Sequence, residues 1–490
     1  MEAEINHLTS IDHEGRGSPQ PPTPKLIGVV RGPALIEKTR VYGFIAAIVL
    51  TVYFAWYLGV WPGPLGQDGY SLIANINQGV PRYTGKDPAW LLYALATYGA
   101  TQRVEALMLP LILFQGVILS RIIGWTYINH YKKTAIFLIV FVACTPHILN
   151  FSTSAYPDAI FSLAFVGLLF EVWLSSRQEK ISALGLFYLF FLFPIACFFK
   201  GNGVIALLPV IYLAIHFKGA LRWGILAIIL FWTAAIQIGA KIYDLGGGHG
   251  AVKPLILFET INFMQSRPMN LWETRHMVTD RTKEIMYRYV TQEDIDRLYD
   301  RDYWDTFWHQ NQDRVMLRNM TKTDERRLRA DFLKYNVWRN IPAFASSRVN
   351  IFLASMLGQG GMVGPDDARH TLSNKPGSRL DATKSEYNPL NLTAYPKLLN
   401  QVYEFSYDWR FLLWTPMLGL FLIFICTKQS IRKHDRAAFI ISAALLIQLM
   451  GIFIFSIAAE YRYILIIFYA PLILSPIIMS LNAANRTTPT

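Results

Sequence analysis

Five ionisable residues stand at the edges of long apolar blocks, and their types suit one kind of chemistry. Asp68 lies in Gln67-Asp68-Gly69-Tyr70-Ser71, shortly after the first block. Asp158 follows Pro157 at the mouth of a later block, and Lys200 precedes Gly201-Asn202-Gly203. Glu460 and Arg462 sit in Ala459-Glu460-Tyr461-Arg462-Tyr463. Ionisable groups at membrane depth are costly, so each is a candidate for function. Carboxylates and cations together at a membrane surface suit group transfer from a lipid phosphate. A cation neutralises the departing phosphate, and a carboxylate takes the acceptor hydroxyl's proton. Phosphate leaves without protonation, so one base suffices, whereas glycoside hydrolysis needs an acid as well.

Each residue also has a structural reading. Asp158 fits a helix N-cap. Lys200 and Arg462 fit cations that reach up to the interface. Glu460 fits a partner for Arg462, and Asp68-Gly69 fits a turn. What favours chemistry is that all five are expected on one membrane face.

That expectation rests on the elements that carry them. The chain is 53% hydrophobic and 16% charged, against about 25% charged residues in a soluble domain. The apolar residues come in long runs. Residues 41–61 hold no charge, which is enough to cross a hydrocarbon core of about 30 Å. The same criterion gives about ten spans, at 41–61, 105–125, 134–154, 159–176, 184–200, 203–217, 223–243, 410–426, 438–457 and 464–481. The expected fold is thus an all-α polytopic membrane protein with a large, mainly helical extracytoplasmic segment between the seventh and eighth spans.

The net charge of +12 would suit nucleic acid in a soluble protein, but basic loops on the cytoplasmic side of a membrane account for it better. With the N-terminus inside, Lys132, Lys133, Arg177, Lys180, Lys218, Arg222 and the basic run 428–436 fall inside. Both termini are then cytoplasmic. Residues 1–40 are rich in Pro, Gly and Ser and are expected to be disordered, and 482–490 form a tail. Cys144, Cys197 and Cys426 all lie in or beside apolar blocks and outline no disulfide framework.

Two regions are expected outside the bilayer. Residues 62–104 contain Asp87-Pro88-Ala89-Trp90-Leu91-Leu92-Tyr93, a capped helix start whose aromatics suit an interface. Residues 244–409 are long enough for a small domain. Within them, 344–357 is apolar but too short to span and suits an interfacial or re-entrant helix.

With these residues in place, the chain resembles GT-C type glycosyltransferases, polytopic enzymes that use polyprenyl-phosphate sugars. The resemblance is carried by Asp68-Gly69-Tyr70 after the first span, Pro157-Asp158-Ala159 opening a later one, Lys200-Gly201-Asn202-Gly203, and Glu460 to Tyr463 before the last apolar run. It implies that Asp68 is the catalytic base and that Arg462 and Lys200 bind the donor phosphate. Asp158, Glu460 and Tyr70 would position substrate. Gln67 stands where the family often has a second acid. The large segment before the last three spans looks more like bacterial transferases that decorate O-antigen or related surface glycans. The implied place is a bacterial inner membrane with the site facing outward.

Acceptor contacts are expected from Trp304 and Trp308, four apart and so on one helix face, and from His249 in the run 246–250. The bland reading of the tryptophans is a domain core. His249, His276 and His309 have no zinc-ligand spacing, and no cofactor is expected. The partners are a polyprenyl-phosphate sugar, a glycan or lipid-linked acceptor and the bilayer, with no nucleic acid. Two rivals remain. A polymerase or ligase acting on diphosphate-linked glycans would use arginines such as Arg348 or Arg326. A lipid-linked sugar transporter or flippase would carry charge within its spans.

Overall fold

Long apolar blocks become helices because a backbone in hydrocarbon must satisfy its N–H and C=O groups within the segment. The computed structural model describes residues 35–81, 86–245, 252–266, 277–303, 317–361, 363–373 and 376–484. Its main helices up to the large connecting segment are α1 (Leu35–Gly59), α2 (Gly66–Asn77), α3 (Pro88–Ala94), α4 (Val104–Ile128), α5 (Lys132–Leu138), α6 (Pro146–Ser152), α7 (Asp158–Gln178), α8 (Ala183–Phe198), α9 (Leu207–His216) and α10 (Ala220–Ile242). The connecting segment holds α11 (Val252–Phe263), α12 (Asp280–Tyr287), α13 (Gln292–Leu298), α14 (Lys322–Asp331), α15 (Ile341–Met356), α16 (Asp367–Ser373) and α17 (Ala394–Asp408). The chain then closes with α18 (Met417–Arg432), α19 (Arg436–Phe455) and α20 (Leu465–Ala484). Among the described residues no strand forms, and an isolated bridge joins Tyr303 to Ala458.

Among the described residues, seven helices are long and apolar enough to cross a membrane: α1, α4, α7, α10, the run Arg410–Arg432 containing α18, α19, and the run Tyr461–Ala483 containing α20. The bent pair built on α5 and α6 would make an eighth. Residues 134–154 therefore do not form the straight span expected. The two halves meet at 63°, because Thr145 is held extended before Pro146, at the first position of α6. Segments 184–200 and 203–217 become α8 and a 3₁₀ turn (Gly201–Ala206) running into α9, both apolar and shorter than the seven.

The helix α7 is the hub. Its whole apolar window is buried inside the protein, while only 11% of that of α10 is, so α10 presents its side chains to lipid. Inside the bundle Arg121 of α4 and Glu171 of α7 form a buried pair, with Nε to Oε1 at 2.7 Å. Arg121 also reaches the Tyr42 hydroxyl at 3.3 Å and lies 5.5 Å from the Tyr188 ring centre. Charge within the spans thus exists, but it is neutralised where it stands.

The connecting segment has two parts. Ile256, Phe263, Ile285, Leu328 and Phe332 belong to a separate small core. Threonine N-caps start three of its helices: Thr279, Thr291 and Thr321 each accept a backbone N–H at 3.1 Å. Leu372, Leu380, Leu399 and Tyr403 instead join the main core of the bundle. The helix α15 ties the two together. Buried Arg348 pairs with buried Glu259 of α11 and donates to the carbonyls of Ile454, in the last turn of α19, and of Ser456 just past it. Burial pushes the Glu259 carboxyl above its usual range, against the pull of Arg348.

The expected interfacial helix at 87–93 is different in kind. Trp90 is fully buried, packed on Phe199 and Tyr93, and the Tyr93 hydroxyl donates to the Leu107 carbonyl at 2.6 Å. Its aromatics fill a joint between α3, α8 and α4 rather than facing headgroups.

Candidate functional site

The chain brings the site together where α7 and α20 begin. The turn after α1 delivers the first residues of α2. At Gly66 φ is +55°, and a Cβ there would collide with the Tyr156 ring; only glycine suits both demands. Asp367 of α16 fixes the same turn, accepting the N–H groups of Leu65 and Gly66 at 2.7 and 2.8 Å. Asp68 therefore sits in the first turn of a helix rather than in the Asp-Gly turn its sequence allows.

One oxygen of Asp68 holds two cations. Lys86 approaches Oδ2 at 2.6 Å, and the Arg462 guanidinium donates to the same atom. Through Nε, Arg462 also holds Glu460. Its guanidinium lies 4.6 Å from the ring centre of Tyr156 and 5.4 Å from that of Tyr463. Burial works to raise the Asp68 pKa, but Arg462 and Lys86 overcome it and hold the carboxyl well below the usual range.

A second pair stands beside the first. Lys200 Nζ lies 2.5 Å from Asp158 Oδ1 and 5.1 Å from the Tyr463 ring centre. Tyr463 is thus flanked by Arg462 and Lys200. Asp158 is the first residue of α7, with Pro157 rather than Asp158 at the N-cap, and its carboxylate is turned to Lys200. Asp87 begins α3 and also leaves its cap unmade. Burial raises its pKa, opposed by Lys200 and by a hydrogen bond from the Gly201 N–H.

A cavity of about 390 Å³ opens against this cluster, within the roughly 300–1,000 Å³ of small-molecule sites. Gly66, Gln67, Tyr156, Tyr303, Glu460 and Arg462 form part of its wall, and Gly361, Gly364 and Asp367 close another side. The backbone is clamped on both sides of Glu460. The Ala459 N–H donates to the Asp302 carbonyl at 2.7 Å, and the Tyr461 N–H to the Gly360 carbonyl at 3.0 Å. The connecting segment therefore builds part of the pocket.

The structure thus gathers Asp68, Asp158, Lys200, Glu460 and Arg462; Glu460 and Arg462 line the cavity, while Asp68, paired with Arg462, and Asp158 and Lys200, paired with each other, do not. Tyr70 is half-buried against the main core and does not line the cavity. Trp304, Trp308 and His249 lie outside the described residues. Among the described residues no three His, Cys, Asp or Glu side chains are grouped to hold a metal.

Sequence reasoning missed Lys86, Asp87, Tyr156 and Asp367 as parts of the site. Lys86 and Asp367 lie in loop-rich stretches with no spacing signal, and Asp87-Pro88 reads fully as a helix start. Arg121 and Glu171 were detectable, since each falls inside an apolar run. Comparison with family models, curated proteins and solved structures finds no match, so the chemistry has to be read from this geometry.

Proposed function

We propose that this is an integral-membrane glycosyltransferase of GT-C type, moving a sugar from a polyprenyl-phosphate donor to a glycan or glycolipid acceptor with inversion. The observation that carries the reading is Asp68, held between Lys86 and Arg462, the cation that lines the cavity. The donor phosphate binds Arg462 and Lys86, with Lys200 beside them. As these cations turn to the phosphate, Asp68 is released from the pairing that suppresses its basicity. The acceptor hydroxyl oxygen then attacks the anomeric carbon. The carbon–oxygen bond to phosphate breaks, its electron pair stays with the phosphate, and the hydroxyl proton passes to Asp68. The products are the glycoside, polyprenyl phosphate and one proton. Glu460 and Asp158 aim Arg462 and Lys200.

In this reading α5–α6, α8 and α9 complete ten spans. The loop charges then put both termini in the cytoplasm and the cavity on the outer face of a bacterial inner membrane. The rivals fit less well. Arg348 is buried and engaged with Glu259, so it is not open to a diphosphate. Arg121 and Glu171 close on each other, where a transport path needs charge exposed to its cargo.

The test uses purified Asp68→Asn protein and a polyprenyl-phosphate sugar with an acceptor glycan. Donor binding should persist while transfer falls by about 10²–10⁴-fold, the span of general-base catalysis. Turnover at the wild-type rate would sink the mechanism.

A further inference from the structure

The connecting segment carries an apolar surface that the catalytic reading does not use. Along α15 and its C-cap residue Leu357, the residues Ile341, Ala345, Val349, Leu353 and Leu357 recur every fourth position, and all are exposed. The four large ones are 45–51% exposed. Residues four apart lie one above another on a helix, so they form one stripe. At 16 residues the helix is about 24 Å long. Its opposite face is committed inward through Arg348, Ile351 and Ser355.

This stripe lies beside α19, one of the seven helices long and apolar enough to cross a membrane. Phe352 packs edge-on against Phe453 of α19, with ring centres 5.5 Å apart. On α19 itself Phe439, Ile447, Met450 and Phe455 are exposed in the same manner. At the other end the stripe runs into Leu333 and Trp338, both exposed, and Trp338 Nε1 is satisfied by the Leu333 carbonyl at 2.8 Å. Lys334 and Arg339 are exposed beside them. An apolar face ending in tryptophan and basic residues matches a bilayer interface, where rings sit at headgroup level and cations meet lipid phosphates.

We propose that the exposed face of α15 is seated in the bilayer, with Lys334 and Arg339 meeting anionic headgroups. The stripe ends at Leu357, shortly before Gly361 on the cavity wall. The membrane therefore rises to the mouth of the site, and a lipid-borne substrate reaches it without leaving the bilayer. The seating itself does not depend on the transferase reading.

Spin labels at Val349→Cys and Leu353→Cys, with Arg326→Cys as a control, test this in nanodiscs of phosphatidylcholine and phosphatidylglycerol. Cys144→Ala removes the more accessible native thiol, since Cys197 and Cys426 are buried. Labels at 349 and 353 should be broadened several-fold more by oxygen than by an aqueous nickel chelate, and the label at 326 should show the reverse. Equal access of all three to the chelate overturns the proposal. So does dipolar broadening between labels at 353, which would make a second copy the occupant. A benzophenone amino acid at Leu353 provides a second measurement on protein without the cysteine changes. It should crosslink to lipid, and crosslinking only to protein also overturns the seating. In the variant carrying Lys334→Gln and Arg339→Gln, retention of phosphatidylglycerol by purified protein should fall several-fold. Unchanged retention overturns the headgroup contact.

Discussion

Asp68 and Arg462 stand 394 positions apart in the chain, and they form one ion pair whose arginine lines the cavity. The pair exists only because α2 and α20 dock at the same end of α7. It also makes Asp68 a guarded base: any anion that draws Arg462 away changes what Asp68 can do. The same oxygen is shared with Lys86, so the guard is double.

That sharing sets a pH dependence. Transfer needs ionised Asp68, so the rate should fall as pH drops through its pKa. Burial works to raise that pKa, but Arg462 and Lys86 hold it well below the usual range, so the wild-type rate should stay level through mildly acid pH. Lys86→Met removes one lowering charge and the pKa rises. The acid limb of log kcat/KM against pH should therefore move to higher pH. An unmoved limb would show that Asp68 is not the titrating base.

Two glycines on the cavity wall should answer substitution differently. At Gly361 φ is +70°, and a Cβ would lie 2.6 Å from the Cβ of Glu460; at Gly364 a Cβ meets nothing within 4 Å. Gly361→Ala should cost about 1–3 kcal/mol from backbone strain alone and disturb the hold of Glu460 on Arg462. Gly364→Ala should leave both stability and transfer near wild type. Thermal unfolding in detergent and a transfer assay measure the contrast.

The buried pair in the connecting segment gives a stability prediction. Arg348→Met leaves Glu259 buried without its cation, and breaking such a pair typically costs about 3–5 kcal/mol. Replacing both partners, with Arg348→Met and Glu259→Leu, should recover much of that loss. Denaturation of single and double variants decides it. A single variant with unchanged stability and lost activity would instead revive the polymerase or ligase reading.

The sequence was informative where one-dimensional physics suffices. Long runs poor in charge located the seven long helices, because burying charge in hydrocarbon is costly whatever the neighbours. The bend at Pro146 was harder to see, since hydropathy averages over a proline that redirects the chain without changing its polarity. The three threonine caps in the connecting segment are local signals of the same legible kind. Trp90 misled because an aromatic beside the membrane suits headgroups and protein joints alike, and only the position of Phe199 decides between them.

By itself, then, the sequence determined that the chain crosses a membrane and that Asp68, Asp158, Lys200, Glu460 and Arg462 are ionisable groups at the ends of apolar runs. Each follows from composition over a short window. The tertiary structure alone decided the pairing: Arg462 and Lys86 on Asp68, Lys200 on Asp158, Arg348 on Glu259. A charge near a membrane is stable only with a partner, but which partner it takes depends on how distant helices dock. That docking is set by packing across the whole bundle, which no local stretch of the chain contains.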